Sequence, residues 1–234
     1  MISSKTAKII NFLPKPLLSK IAKMIVDGYL NKYARIRVIN EGKLQEIKGP
    51  AIFISNHLSN SDGLILNKVL KEKGIWFVAG VKLSKNALTS IGLGVVNTVP
   101  INPSSPDKTA ISTIIKMLKS GSSIFIFPEG TRSRSASMIE GKKGILLIHK
   151  LSKVPLVPIG ITGTEKLFPI NDNDMGKEKF HHADVTVTVG DGFYAPTKKE
   201  DETKEDYEGR ALSFVMKKIA QLLPEEYQGV YRER

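Results

Sequence analysis

Ala51-Ile52-Phe53-Ile54-Ser55-Asn56-His57-Leu58-Ser59-Asn60-Ser61-Asp62 begins as an unbroken apolar run and turns polar within two residues. Four apolar residues rich in β-branched and aromatic side chains predict a buried strand, which places His57 at the strand's exit. Asp62 follows five positions later. That gap is long enough for a loop to turn back and set a carboxylate against one imidazole nitrogen, which fixes the tautomer and leaves the other nitrogen to take a proton from a hydroxyl. A plainer reading fits the same residues: Ser61 or Asp62 caps the helix predicted next, and His57 is a loop histidine without a task. The stretch by itself leaves both open.

A second strand candidate, Ser123-Ile124-Phe125-Ile126-Phe127, runs directly into Pro128-Glu129-Gly130-Thr131-Arg132-Ser133-Arg134. Gly130 permits close backbone approach, Thr131 and Ser133 offer hydroxyls, and Arg132 and Arg134 can form paired hydrogen bonds to phosphate oxygens. The chemistry implied is anion binding; the bland counterpart is a Pro-Gly turn with solvated arginines.

Taken together, Asn56-His57-x-Ser59-x-x-Asp62 and Phe127-Pro128-Glu129-Gly130-Thr131-Arg132-Ser133 resemble the two signature motifs of the glycerolipid acyltransferases, in particular the bacterial lysophosphatidate acyltransferase branch. Val154-Pro155-Leu156-Val157-Pro158-Ile159 is similar to the fourth block of that family, and the likeness covers about residues 33 to 190. The resemblance implies a His57–Asp62 pair that activates an acceptor hydroxyl for direct attack on an acyl thioester, with Ser59 and Ser61 not acting as nucleophiles. It also implies that Glu129 and Gly130 position the glycerol part, with Thr131 in the same substrate-binding loop. Arg132, then Arg134, would bind the acceptor's phosphate, and loop N–H groups or Lys82 would stabilise the oxyanion. One block departs from the family pattern: Pro100-Ile101-Asn102-Pro103 lacks the acidic residue and arginine usual there, and the family's lysine falls at Gly80, with Lys82 and Lys85 nearby. Acyl transfer is therefore better supported than lysophosphatidate as acceptor. The alternatives are another lyso-lipid, an aminolipid, or a lipid-binding protein without catalysis.

At 234 residues the chain supports one substantial core. The absence of cysteine excludes thiol catalysis, disulfides and cysteine-ligated metal, and four histidines, two of them adjacent at His181-His182, offer a zinc site little support. No metal or cofactor is invoked beyond acyl-CoA or acyl carrier protein as co-substrate. A formal net charge of +12 predicts an acidic partner. No nucleic-acid-binding motif accompanies it, and aromatics are only 7% of the chain, so an anionic membrane surface is the expected partner alongside the acyl donor and a lysophospholipid.

The first thirty residues add to the membrane case. Leu17, Leu18, Ile21, Ile25 and Tyr29 recur at helical spacing with Lys20 and Lys23 off the stripe, preceded by Lys5, Lys8, Phe12, Leu13 and the Pro14-Lys15-Pro16 turn signal. No window approaches the roughly 18 apolar residues of a spanning helix, and no signal-peptide core is evident. The expectation is a peripheral protein on the cytoplasmic face of the membrane, with residues 1–32 as an amphipathic membrane-association segment and 33–234 as the acyltransferase domain. The same stripe also suits packing on the protein's own domain.

Further strands are predicted at Arg35 to Ile39, Trp76 to Ala79, Val95 to Ile101, Leu156 to Ile161 and Val185 to Val189, with helices at about Asp107 to Lys119 and Lys142 to Leu151. Leu212, Val215, Ile219 and Leu222 mark a closing amphipathic helix. Such alternation predicts an α/β layered fold, a mostly parallel or mixed sheet flanked by helices. Phe168 to His182 reads as a surface loop, with Asp172 and Asp174 as a weak metal alternative, and Lys198 to Glu208 as a solvated charged run. Residues 91–95 line either an acyl-chain channel or the core.

Overall fold

The computed structural model describes residues 15–80, 95–102, 107–171 and 178–233. Lys82, Lys85, Pro103, Asp172 and Asp174 lie outside the described residues, as do Ile91 to Gly94 and the chain before residue 15.

Among the described residues the strands are β1 (Ala34–Ile39), β2 (Ile52–Ser55), β3 (Trp76–Gly80), β4 (Thr98–Ile101), β5 (Ile124–Ile126), β6 (Leu156–Thr162) and β7 (Ala183–Val189). They form one sheet in the order β1-β7-β6-β2-β5-β3-β4. Every neighbouring pair is parallel except β6 with β7, as the expected mixed α/β sheet requires. The helices are α1 (Lys15–Tyr33), α2 (Lys43–Glu46), α3 (Asp62–Val69), α4 (Lys108–Lys119), α5 (Gly144–Ser152), α6 (Thr164–Leu167) and α7 (Lys204–Ala220).

Two cores, one on each face of the sheet, explain the unbroken apolar run with which β2 is written. All four of its residues are buried, because Phe53 points to one face and Ile52 and Ile54 to the other. The first core joins Phe53, Phe77, Phe125 and Val185 to Val26 and Leu30 of α1 and to Ile65 and Leu66 of α3. The second joins Ile52, Ile54 and Ile124 to Ile114 and Leu118 of α4, Ile145 and Ile148 of α5, and Val215 and Ile219 of α7. Strand β7 has a single buried face, and its Val185, Val187 and Val189 alternate accordingly.

Several boundaries differ from expectation. Strand β4 begins at Thr98 rather than Val95, because β3 offers partners only from Phe77 to Gly80, and Val95 and Val96 pack against the core without pairing. Its edge position also accommodates Pro100, which has no N–H to donate. Asp107 lies just outside α4 as its cap, its carboxylate accepting the N–H groups of Ala110 and Asn102. Helix α1 continues to Tyr33, one residue past the expected segment boundary, and its Val26 and Leu30 belong to the core. Leu17, Met24, Ile25 and Tyr29 remain exposed on it. No described helix is long and apolar enough to cross a membrane.

Candidate active site

Strands β2, β5 and β6 run side by side in parallel, so the loops leaving their C-terminal ends emerge at one edge of the sheet. This is where a parallel sheet commonly gathers its chemistry, because neighbouring loops meet there with their N–H groups unspent. His57 stands two residues past β2, and Glu129 to Arg134 follow β5.

His57 and Asp62 come together. Nδ1 of His57 lies 2.8 Å from Oδ2 of Asp62, whose side chain is fully buried. The same oxygen accepts the backbone N–H groups of Leu58 at 2.7 Å and Ser59 at 2.9 Å. Three donors on one oxygen hold the carboxylate rigidly, and with Nδ1–H donating to it, Nε2 of His57 carries the free lone pair. The imidazole stacks on Phe127, ring centroids 4.0 Å apart and 15° from parallel, and its side chain remains 19% exposed. A buried partner and an accessible ring suit a base that must reach a substrate. Asp62 opens α3, but its carboxylate turns back to the loop, and Ser61 forms no side-chain cap bond. The capping alternative is therefore not what the structure contains.

The loop after β5 holds His57 by its backbone. Glu129 Oε1 accepts the His57 N–H at 3.1 Å, and the Ser133 N–H donates to the His57 carbonyl at 2.7 Å. Glu129 Oε2 accepts the N–H of Ile139 at 3.3 Å. Expected to position the acceptor's glycerol, Glu129 is instead 1% exposed with both oxygens turned to backbone donors, so it acts on the histidine loop. Burial pushes its carboxyl up to about 8, the Asp62 charge adding to the rise and the Ile139 and His57 N–H groups opposing it.

Gly130, Thr131 and Arg134 are exposed on the same loop. Gly130 has φ +69°, and a Cβ there would stand 2.9 Å from Cε of Lys142, whose side chain crosses the glycine. Lys142 thus adds a cation that the motif reading missed. Arg132 Nη1 donates to Glu178 Oε1 at 3.0 Å. The Glu178 side chain is 1% exposed, so the segment read as a surface loop contributes a buried acid. Its Oε2 accepts from Asn60 Nδ2 at 2.7 Å, and Oε1 also accepts the Asn171 N–H at 3.3 Å.

The amide of Asn56, the residue before His57 in the motif, forms a paired bond with the backbone of Ile161, 2.8 and 2.9 Å, clamping the histidine loop to β6. Ser59 Oγ donates to the Phe168 carbonyl at 2.7 Å, consistent with a structural hydroxyl. Among the described residues no cluster of His, Asp or Glu could hold a metal ion.

Known proteins resemble this chain in sequence and in fold. The chain is 26% identical over 171 residues to 1-acyl-sn-glycerol-3-phosphate acyltransferase LPAT1, chloroplastic, of Arabidopsis thaliana, covering 72% of this chain and 46% of that protein. It is also 26% identical over 159 residues to the 1-acyl-sn-glycerol-3-phosphate acyltransferase of Bacillus subtilis, covering 68% and 74% respectively. A chloroplast relative from Brassica napus is covered over 41% of its length, so the match spans under half of each plant protein. The crystal structure of the 1-acyl-sn-glycerophosphate acyltransferase PlsC from Thermotoga maritima superimposes with a TM-score of 0.60 at 20% identity, covering 89% of this chain and 79% of that one, which shows a shared fold. The Acyltransferase family model matches residues 35–162, more than half of the chain, and the chain belongs to that family.

Proposed function

We propose that the protein transfers a fatty acyl group from a thioester, acyl-CoA or acyl-acyl carrier protein, to the free hydroxyl of 1-acylglycerol-3-phosphate, yielding phosphatidate. The observation that carries this reading is the His57–Asp62 pair, 2.8 Å apart, tied through the His57 backbone to a loop that presents Arg132 and Arg134. Nε2 of His57 removes the hydroxyl proton as the oxygen attacks the thioester carbonyl. The C–S bond of the tetrahedral intermediate then breaks, and the imidazolium returns its proton to the departing thiolate. Asp62 keeps the ring oriented and stabilises its transient charge. Placing the base in this way contributes about 10² to 10⁴ in rate. Glu129 serves by holding the histidine loop, and Arg132, Arg134 and Lys142 supply positive charge for the acceptor's phosphate. Lys82 is retained as a candidate oxyanion donor. The names of the Bacillus and plant relatives favour this acceptor over other lyso-lipids.

The protein would work as a peripheral enzyme on the cytoplasmic, anionic membrane surface, where its acceptor resides. Purified protein supplied with labelled acyl-CoA and acyl-acyl carrier protein should acylate lysophosphatidate and discriminate against monoacylglycerol, which lacks the phosphate. His57→Ala should reduce transfer by at least about a hundredfold in a protein that melts normally. Substantial activity in folded His57→Ala would remove histidine as the base, and equal use of both acceptors would remove lysophosphatidate as the preferred one.

A further inference from the structure

We infer that Glu178 is a positioning residue for acceptor recognition, aiming Arg132 and coupling it to the loop that carries His57. This inference rests on the proposed acceptor reading. Glu178 lies 46 residues beyond Arg132, in the segment that precedes β7, and its carboxylate divides its bonds between the two sides of the site. Oε1 accepts from Arg132 Nη1 and from the Asn171 N–H, while Oε2 accepts from Asn60 Nδ2 at 2.7 Å. Asn60 lies between His57 and Asp62 in the catalytic loop.

A guanidinium on a loop ordinarily samples many rotamers, and fixing it on a phosphate costs entropy at the moment of binding. Here a carboxylate with its side chain 1% exposed holds one edge of the guanidinium of Arg132, whose side chain is 17% exposed. The planar fork of arginine means that fixing one N–H direction fixes the others. Glu178 therefore orders the cation before the acceptor arrives. Because the same carboxylate anchors Asn60, the phosphate end of the site keeps a set distance from the base. A buried ion pair is costly to break from one side, since the survivor is left without its partner. Removing Glu178 should therefore loosen the hold on Arg132.

The test is steady-state kinetics of the full chain with lysophosphatidate and monoacylglycerol as acceptors, alongside thermal melting. Glu178→Ala should raise KM for lysophosphatidate about tenfold or more, leave KM for the acyl donor within about twofold, and affect monoacylglycerol less. Glu178→Gln keeps an acceptor for Arg132, and the Asn60 amide can turn over to meet the new NH2; it should restore KM to within about threefold of wild type. In an Arg132→Ala background, Glu178→Ala should add little to the acceptor KM, because both substitutions remove one interaction. Glu178→Asp retains the charge but withdraws it by one methylene; it should raise the acceptor KM several-fold, and it carries the same cycle if the alanine variant does not fold. An unchanged acceptor KM in folded Glu178→Ala or Glu178→Asp overturns the inference. Equal loss on both acceptors, or a loss that adds in full to that of Arg132→Ala, does the same. If Arg132→Ala itself leaves the lysophosphatidate KM unchanged, the phosphate reading fails, an outcome distinct from a Glu178 that is silent beside a sensitive Arg132.

Discussion

At the scale of single residues, Glu129 separates what the motif promised from what the side chain does. The motif placed it against substrate; burial turned both oxygens onto backbone donors of residues 57 and 139. Its carboxyl titrates near 8 in the fold because burial outweighs those donors, against 4.5 for the ordinary group. A folded value above the unfolded one means that stability is fully present below pH 4.5 and is lost as pH rises through about 8. Glu129→Gln has no proton to lose and gives up one acceptor. We predict that its melting temperature lies below that of wild type at pH 5 and that the gap narrows or reverses by pH 9. Parallel melting curves across that range would show that Glu129 does not titrate within it. The spacing of five positions allowed His57 and Asp62 to meet without requiring it, and the resemblance carried by the two motifs together favoured the pair. Glu178 was not, because nothing local connects it to Arg132.

At the scale of elements, the segment after α7 straps the loop after β5 in place. The Met138 N–H donates to the Tyr227 carbonyl at 2.8 Å, the Val230 N–H donates to the Met138 carbonyl at 3.2 Å, and the Tyr231 hydroxyl accepts the Gly141 N–H at 2.9 Å. Tyr227 also donates its hydroxyl to Glu165 at 2.8 Å, beside β6. Because Ile139 holds Glu129 and Glu129 holds His57, residues 227–231 act on the base through three contacts. Gly229 makes the strap possible: its φ is +53°, and a Cβ would lie 2.0 Å from the Met138 carbonyl oxygen. Gly229→Ala should destabilise the protein by more than about 1 kcal/mol and lower transfer at temperatures well below melting. Tyr231→Phe should cost only about 1 kcal/mol. Unchanged melting and unchanged transfer in Gly229→Ala would show that the strap does not support the loop. The strands and long helices were legible because their apolar periodicity is local; the strap consists of short 3₁₀ turns with no periodicity to detect.

For the whole molecule, the proposed membrane contact rests on the net charge of +12 and on the two-faced character of α1. The amphipathic stripe read from sequence suited either the protein's own domain or a membrane, and α1 uses two faces. Val26 and Leu30 enter the core, while Leu17, Ile25, Tyr29 and Met24, the last 70% exposed, stay outside. Deleting the helix would therefore uncover the core as well as remove the outer stripe. Point substitution on the outer face is the cleaner probe. Met24→Glu should leave melting within about 0.5 kcal/mol, as expected for an exposed site. It should weaken binding to anionic vesicles, and added salt should weaken binding of the wild type in the same direction through screening. Sedimentation of Met24→Glu with anionic vesicles as complete as that of wild type would move the membrane surface elsewhere.

The α/β class, the approximate strand positions and the cationic loop after β5 were determined by sequence alone, since each depends on local apolar pattern or on residues within a few positions of one another; for His57 and Asp62 the sequence left two readings, and the structure paired them. Tertiary structure decided which side chains face substrate and which face backbone. It turned Glu129 inward, gave Asn56 its grip on Ile161, and brought Glu178 to Arg132. It also divided α1 between core and surface. These outcomes depend on strand order, and the order β6-β2-β5 juxtaposes residues 57, 129 and 161 that are far apart in the chain. Local periodicity carries no information about which strand will become which neighbour.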